Sequence, residues 1–329
     1  MPDLQLSIAV GDYDHIRDFT SGRVRTEGIS LVPSHLPVEE MFFRFVKFQE
    51  WDMAEMSFAK AISLMSQPDP WLALIPVFPS RAFRHSSIYV RADRGIHSPA
   101  DLSGKKVGIP EWAQTAAIYS RGMLASEYGL DLRSIDWYQA GVNDPGRREK
   151  VQIQLPNGIR YTPRPDASLS GMLASGELDA VLSARAPRAF LEHPSLVRRL
   201  FPDYRAVEWA YWKKTGVFPI MHVIAIRREV YERNRWIAGN LIRGFEIAKN
   251  RSLERVADIT ASSVPLPWVS DYAAQSREVM GEDFWPYGIE PNQVTLEVFS
   301  RYAWEQGITT RHMALDEIFV PESLQRVKV

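Results

Sequence analysis

Two arginines and a histidine lie within five residues of one another, at Arg81, Arg84 and His85. They follow an apolar segment, 71–78, that we predict to be a strand, and loops after strand ends face the ligand cleft in open α/β sheets. Each guanidinium can hold a carboxylate through two parallel hydrogen bonds. A solvated basic turn is the alternative, but the position after a strand favours contact with a small anionic ligand.

A second group of polar residues joins a predicted strand to the start of a predicted helix, over 108–115. The unpaired amides and the dipole at such a helix start favour an anion. Gln114 or Thr115 can add a side-chain donor, although Thr115 also fits a simple helix cap. Glu111 would repel an anion unless it is protonated or bonds a ligand hydroxyl, which makes it a conditional candidate for a base.

Three further candidates lie on predicted strands. His222 lies in the apolar segment 220–224, where a lone histidine is usually a core residue, but this segment is a candidate for the strand that returns between two lobes. Glu55 and Ser57 end another predicted strand and are candidates for ligand binding. Ser57 equally fits a cap of the helix that follows.

Several kinds of site are excluded by what the chain lacks. It has no cysteine, which removes thiolate nucleophiles and cysteine-ligated metals, and it has no HExxH, GxSxG, P-loop or GxGxxG motif. Asp12-Tyr13-Asp14-His15 could bind a metal on paper, but such clusters in turns usually cap helices or are hydrated. We therefore expect no cofactor and no metal, and general acid–base and electrostatic chemistry remain.

Size and charge narrow the class of protein. A chain of 329 residues favours two lobes, and 39 Lys and Arg against 40 Asp and Glu, without long runs of one sign, argue against nucleic-acid or membrane partners. Ten Trp can wall a pocket or fill a core, and Trp209, Tyr211 and Trp212 fit either role. An acidic N-terminus and short apolar stretches predict a cytoplasmic protein. Homo-oligomer formation stays open.

Strand and helix patterns alternate along the chain, which predicts helix-covered, largely parallel sheets. In the first part, strands are predicted at 4–10, 29–32, 53–58, 71–78 and 86–91, with helices at 38–48 and 59–66. A second part starts after the turn-rich loop 92–99, with strands at 107–109, 135–139 and 180–183 and helices at 115–128 and 169–174. The sequence thus predicts two α/β lobes.

The segment 217–226 is extended and apolar and leads into a long amphipathic helix. If it returns to the first lobe, that lobe is discontinuous and comprises 1–92 plus 214–329 with the C-terminal helices, while 93–213 form the second lobe. Two crossing strands would make a hinge, and we expect an anion-binding cleft between the lobes.

At these residues the chain resembles the 4,5-dihydroxyphthalate decarboxylase family, whose members are similar to solute-binding proteins of the type II periplasmic-binding fold but work as cytoplasmic enzymes. The resemblance spans nearly the whole chain. The matching pieces are 55–57, 78–91, 107–111 with Thr115-Ala116, 176–180, 199–203, 215–222 and 285–288, and the most specific parts of them are 81–91 and 218–222.

The resemblance implies a carboxy-lyase that converts 4,5-dihydroxyphthalate into 3,4-dihydroxybenzoate and carbon dioxide. Such a reaction needs an anchor for the retained carboxylate, a base at the phenol, an acid near the ring carbon and a dry wall. Our hypothesis is that Arg81 and Arg84 anchor, His85 or Glu111 accepts the phenol proton and His222 protonates carbon. In the same hypothesis two aromatic side chains exclude water, Trp112 and Phe218.

Two other functions stay open. One is a solute-binding protein for an aromatic or sulfonated acid that serves an ABC transporter, which needs the same arginines and hinge but which a missing signal peptide disfavours. The other is a menaquinone-pathway enzyme of the same fold. The absence of cysteine argues against the related thiamine-pyrimidine synthases.

Overall fold

The computed structural model describes residues 3–323 and divides into two compact α/β units. Within the described chain, the first unit runs to Arg81, returns over Ile220–Glu297 and resumes at Ala314. The second unit holds Ala82–Pro219 and Val298–Met313. Each unit is built around its own sheet, and elements are numbered below in chain order.

The sheet of the first unit contains five strands in the order β2-β1-β3-β11-β4. Their bounds are β1 Leu4–Ala9, β2 Ile29–Ser34, β3 Met53–Ser57, β4 Leu72–Ile75 and β11 His222–Arg227. Strand β1 pairs parallel with β2 and β3, as short β-α-β connections require, whereas β11 runs antiparallel between β3 and β4. The late strand β11 is therefore inserted into the middle of a sheet made by the first part of the chain.

Helices cover this sheet with apolar faces at helical spacing. They are α1 Asp14–Thr20, α2 Val38–Phe48, α3 Phe58–Met65, α8 Arg228–Arg233, α9 Ile237–Ala257, α10 Val269–Met280 and α12 Leu315–Ile318. The longest, α9, buries Leu241, Phe245 and Ala248, and the ring of Phe245 meets Phe19 of α1 edge to face at 5.0 Å. This contact ties the first helix of the chain to the part that returns after the second unit.

The second unit has a six-stranded sheet in the order β10-β5-β9-β6-β7-β8. The strands are β5 Ile88–Arg91, β6 Lys106–Ile109, β7 Asp136–Gly141, β8 Arg160–Ser168, β9 Ala180–Leu182 and β10 Val197–Arg199. Strand β6 is parallel to β7 and β9, and β5 is antiparallel to β9 and β10. The helices are α4 Thr115–Tyr128, α5 Leu169–Ser175, α6 Arg188–Glu192 and α7 Tyr204–Thr215.

The helix α11, Gln293–Glu305, contributes to both units, because the division falls at Glu297. Its second part packs on α4, where Phe299 stacks on Tyr119 at 4.8 Å. The chain therefore changes unit at 81/82, 219/220, 297/298 and 313/314. The sequence prediction had only two boundaries, at 92/93 and 213/214, and assigned all residues after 213 to the first lobe.

Two predicted helices have the observed bounds, since 38–48 is α2 and 115–128 is α4. Predicted strands 71–78 and 86–91 are shorter, as β4 and β5. Strands β8 and β10 and helix α7 were not predicted, since their sequences are too polar or too short to give a clear period. Within residues 3–323 no helix combines the length and the apolar character needed to cross a membrane.

Candidate active site

The carboxyl group of Glu55 is the centre of a hydrogen-bonded cluster in the first unit. Its side chain has no exposed surface. One oxygen, Oε2, accepts the backbone N–H of Gly11 at 2.8 Å. The other, Oε1, accepts the hydroxyl of Tyr13 at 2.7 Å and lies 2.6 Å from Nδ1 of His222. Two donors from the loop after β1 and one from strand β11 thus converge on one buried carboxyl.

The sheet register explains why Glu55 and His222 meet. Strand β11 runs antiparallel to β3, with Ile224 opposite Glu55 and His222 opposite Ser57. Side chains two apart on a strand share a face, so Glu55 and His222 are diagonal neighbours on the same face. Ser57 is the N-cap residue of α3, but its side chain makes no capping hydrogen bond.

The loop after β1 supplies the other two partners. Gly11 and Tyr13 follow the carboxyl end of β1, which lies beside β3 in the sheet. A Cβ atom on Gly11 would lie only 2.6 Å from Cε2 of Tyr13, so the ring reaches this place because residue 11 is glycine. The same loop was considered in the sequence only as a metal cluster, and its hydrogen bonds to Glu55 were missed. Its position after a strand end was the available signal.

The charges in this cluster favour an ionised Glu55. Burial by itself raises the pKa of a carboxyl, but the hydrogen bond and charge of His222, with the donors of Gly11 and Tyr13, outweigh it and hold the pKa of Glu55 below its usual range. Burial and the neighbouring carboxylate raise the pKa of Tyr13, so its hydroxyl keeps its proton and donates. The cluster is therefore a buried anion with donors on all sides.

His222 is held on one side and open on the other. Its side chain is 18% exposed, and the ring of Phe42 meets the imidazole edge to face at 5.0 Å. Among the described residues no hydrogen bond to Nε2 is found, while Nδ1 faces Glu55. This geometry is suited to general acid–base catalysis, because an oriented imidazole with one unengaged nitrogen can exchange a proton with a ligand.

A second histidine, His15, lies beside the cluster. From the sequence it was considered only as part of a possible metal site and not as a residue that contacts the substrate. Nε2 of His15 lies 2.9 Å from the carbonyl oxygen of Pro79, and its ring lies between those of Tyr13 and Trp285, at 5.3 and 5.2 Å. Burial lowers the pKa of His15. Burial thus favours the neutral imidazole.

Arg81 also belongs to the first unit and is 6% exposed. One guanidinium nitrogen, Nη2, donates to the carbonyl oxygen of Pro286 at 2.7 Å and to Oδ1 of Asn292. The guanidinium carbon lies 5.2 Å from the ring centre of Phe78. These contacts join the loop after β4 to the segment that precedes α11. The predicted role of Arg81 as a carboxylate anchor stays a prediction.

The neighbouring candidates Arg84 and His85 belong to the second unit. Burial lowers the pKa of Arg84 to about 10, against the attraction of Glu208. His85 has no exposed surface, and burial lowers the pKa of its imidazole to about 4. Three rings surround it at 5.1 to 6.1 Å, those of Tyr211, Phe201 and Tyr128. Phe218, the predicted water-excluding residue, stacks on Phe83 at 4.7 Å.

The candidates of the β6–α4 junction lie together in the second unit. Nε of Arg147 is 2.7 Å from Oε1 of Glu111, and Lys150 lies 3.5 Å from the same oxygen. The N-cap of α4 is Gln114, whose side chain makes no capping hydrogen bond, and Thr115, the residue predicted as a cap, is instead the first residue of the helix. Trp112 has no exposed surface.

The surroundings of Trp112 were not predicted. Its Nε1 donates to the carbonyl oxygen of Gln306 at 2.8 Å, and the guanidinium carbon of Arg121 lies 3.8 Å from the ring centre. Burial lowers the pKa of Arg121 to about 9. Trp112 is therefore a core residue of the second unit as well as a predicted wall residue.

The structure thus brings Glu55 and His222 into direct contact and adds Gly11 and Tyr13 to them. Arg84, His85, Glu111 and the residues of the β6–α4 junction belong to the other unit, and their predicted roles stay predictions. In the part of the chain that the structure describes, no group of three or more His, Asp or Glu side chains is arranged to hold a metal ion.

Two known proteins resemble this chain in sequence, one of them over its whole length. It is 39% identical to a 4,5-dihydroxyphthalate decarboxylase of Comamonas testosteroni over 331 aligned positions, which cover 100% of both chains. It is 41% identical to a 4,5-dihydroxyphthalate decarboxylase of Pseudomonas putida over 213 residues, which are 64% of this chain and 82% of the relative. No family model matches the chain.

Solved structures of periplasmic binding proteins share the fold. A periplasmic sulfonate-binding protein of Methylobacillus flagellatus superposes with a TM-score of 0.56 at 17% identity, covering 98% of this chain and 94% of the other. The periplasmic aliphatic sulphonate binding protein of Escherichia coli gives 0.51 at 14% identity, covering 100% and 96%. These likenesses confirm the predicted α/β fold of periplasmic-binding-protein type, and at this identity they bear on the fold alone.

Proposed function

The chain belongs to the 4,5-dihydroxyphthalate decarboxylase family, and we propose that it removes one carboxylate from 4,5-dihydroxyphthalate, giving 3,4-dihydroxybenzoate and carbon dioxide. The observation that carries the proposal is the 39% identity to a protein of that name, extended over the full length of both chains. Sulfonate-binding proteins share only the fold, at 14–17% identity, which gives no support to the solute-binding alternative as a function.

Decarboxylation of 4,5-dihydroxyphthalate requires a proton donor beside the ring carbon that loses its carboxylate. Each carboxylate of 4,5-dihydroxyphthalate is para to a hydroxyl, so removal of the phenolic proton pushes electron density to the carbon that bears the carboxylate. A proton from the enzyme bonds to that carbon, the carbon–carbon bond to the carboxylate breaks, and its electron pair returns to the ring as carbon dioxide leaves. One proton enters the product for each carboxylate lost.

We assign the proton donor to His222. The imidazole is oriented through Nδ1 by the buried, ionised carboxyl of Glu55. Nε2 is the nitrogen available to a ligand. The ring of Phe42, almost perpendicular to the imidazole at 5.0 Å, restricts water on one side of it. The anchors Arg81 and Arg84 and the alternative bases His85 and Glu111 remain in the proposal in the roles predicted from the sequence.

The experiment is product analysis with purified protein. Incubation with 4,5-dihydroxyphthalate is expected to release carbon dioxide and to form 3,4-dihydroxybenzoate in equal amounts, measured by gas-phase detection and liquid chromatography. Phthalate without hydroxyls is the matched control, because it lacks the para phenol and should not react. A cytoplasmic location, also proposed here, is checked by cell fractionation with the same assay.

Two results would overturn the proposal. One is thermal stabilisation by the diacid without carbon dioxide release, which would point to a binding protein. The other is turnover of phthalate at the same rate as the dihydroxylated substrate, since the electron-releasing hydroxyl would then have no role.

A further inference from the structure

The carboxyl oxygens of Glu55 accept hydrogen bonds from other groups of the protein. Its two oxygens take the N–H of Gly11, the hydroxyl of Tyr13 and the Nδ1 side of His222, and the side chain has no exposed surface. A carboxylate in this state has no face to offer a substrate. Its position instead suggests an effect on the residue that does have an open side, His222.

The direction of each hydrogen bond around Glu55 can be assigned. The backbone N–H of Gly11 is a donor without any alternative, and an ionised carboxylate is an acceptor only. Nδ1 of His222 must therefore carry a hydrogen to make its 2.6 Å contact. In the neutral imidazole the second nitrogen, Nε2, then carries the lone pair.

We infer that Glu55 is a positioning residue that fixes the Nδ1–H tautomer of His222 and so makes Nε2 the nitrogen that exchanges a proton with the ligand. The tautomer follows from the hydrogen bonds around the ionised carboxylate, and only the exchange with a ligand rests on the proposed function. The inference also changes the expected role of Glu55, which the sequence had suggested as a substrate-binding residue.

The substitution Glu55→Gln gives a definite expectation because the N–H of Gly11 cannot be reversed. The amide oxygen of the glutamine must take the place of Oε2 and accept from Gly11. Its NH2 group then takes the place of Oε1 and faces Tyr13 and His222. The hydroxyl of Tyr13 can rotate to accept, and Nδ1 of His222 must accept as well. The neutral imidazole should therefore switch to the Nε2–H tautomer.

The experiment is nitrogen NMR of protein labelled with 15N in histidine. Long-range proton–nitrogen spectra distinguish the two neutral tautomers, and His222→Asn identifies the signals of His222. At the alkaline plateau of a pH titration, the wild-type protein should show Nδ1–H. Tyr13→Phe should show the same, because it leaves the carboxylate in place, whereas Glu55→Gln should show Nε2–H. Asp18→Asn is the matched control: it also alters a buried carboxyl of the first unit, one paired with Arg251 and Arg255, and should leave the signals unchanged.

Nε2–H in the wild-type protein, or Nδ1–H retained in Glu55→Gln, would overturn the inference. If Glu55→Gln does not fold, the wild-type and Tyr13→Phe spectra still decide, since each must show Nδ1–H. Turnover gives a second readout: a reversed tautomer at an oriented histidine lowers kcat by up to about 10⁴-fold, and Glu55→Gln is expected to fall in kcat more than it rises in KM.

The tautomer of His222 and the decarboxylase activity can be tested independently of each other. Nδ1–H without carbon dioxide release from any dihydroxyphthalate would refute the decarboxylase proposal and leave the tautomer standing. Carbon dioxide release from a protein whose His222 is Nε2–H would refute the tautomer and leave the decarboxylase standing.

Discussion

Nδ1 of His222 lies 2.6 Å from Oε1 of Glu55, although 167 positions separate the two residues in the chain. The contact exists because β11 returns from the second unit to run antiparallel between β3 and β4. A sheet of this kind joins residues from distant parts of the chain with little freedom in register, since a slip by one residue would turn His222 to the other face. Two predictions concern this cluster, a third concerns Asn292 in the same unit, and a fourth concerns His85 in the second unit.

Replacement of His222 by asparagine should lower turnover of 4,5-dihydroxyphthalate about 10²–10⁴-fold, the usual contribution of acid–base assistance. Binding of substrate should persist, because the amide keeps a polar group beside Glu55. Carbon dioxide release measures the first effect and ligand-induced thermal stabilisation the second. His312→Asn is the control, since His312 is exposed in the second unit, with its ring near Trp304. Near-normal turnover in His222→Asn would remove it from the role of proton donor.

Gly11→Ala should weaken the same cluster by displacing Tyr13, another hydrogen-bond donor to Glu55. The new Cβ would lie 2.6 Å from Cε2 of Tyr13, so the ring must shift, and its hydrogen bond to Glu55 should be disturbed. Overpacking of this kind destabilises a protein by about 1–3 kcal/mol, and denaturant unfolding should show a loss in this range. Gly239→Ala in α9 is the matched control, because nothing lies within 4 Å of its added Cβ. Equal stability of the two variants would show that Tyr13 has room to adjust.

The sequence allowed Glu55 and His222 to be chosen as candidates, each from its place on a predicted strand. It did not show that they touch, because neither the order of strands in the sheet nor the register of β11 is written in local periodicity. Gly11 and Tyr13 were missed for a related reason. Their function depends on a hydrogen bond across 44 and 42 positions, and no local pattern reports that distance.

In the second unit, the sequence predicted the helices and strands better than the surroundings of the candidate site residues. Helix α4 was placed at its observed bounds because apolar spacing and Gly129, which has a φ of 67° after the last turn, mark both its course and its end. The aromatic cage of His85 was not predicted. Its rings come from three separated segments, and only packing brings them around one imidazole.

Asn292→Ala should destabilise the segment that includes Trp285-Pro-Tyr-Gly288. The amide nitrogen of Asn292 donates to the carbonyl oxygens of Pro286 and Gly288, and its oxygen accepts from Arg81. Loss of a buried partner costs about 1–3 kcal/mol, so urea unfolding should show a decrease in that range. Asn157→Ala is the control, because Asn157 is exposed. A decrease no larger than that of the control would mean that other donors replace the amide.

Protonation of His85 should make the protein less stable in mild acid. Burial lowers the pKa of this imidazole from 6.5 to about 4 in the folded protein, whereas the unfolded chain titrates near the ordinary value. At a pH between these two pKa values, His85 binds a proton in the unfolded chain but not in the folded protein. The contribution of His85 to the free energy of unfolding, fully present above pH 6.5, is therefore lost progressively as the pH falls to about 4.

The expected loss from this one group is up to about 3 kcal/mol, from the difference between the two pKa values. His85→Phe keeps a flat ring in the cage but cannot bind the proton, and its free energy of unfolding should fall less steeply over the same pH range. A constant offset from altered packing does not affect this slope. His312→Phe, at an exposed site, should follow the wild-type slope. Parallel curves for His85→Phe and the wild-type protein would show that His85 gains its proton in the folded state as readily as in the unfolded chain.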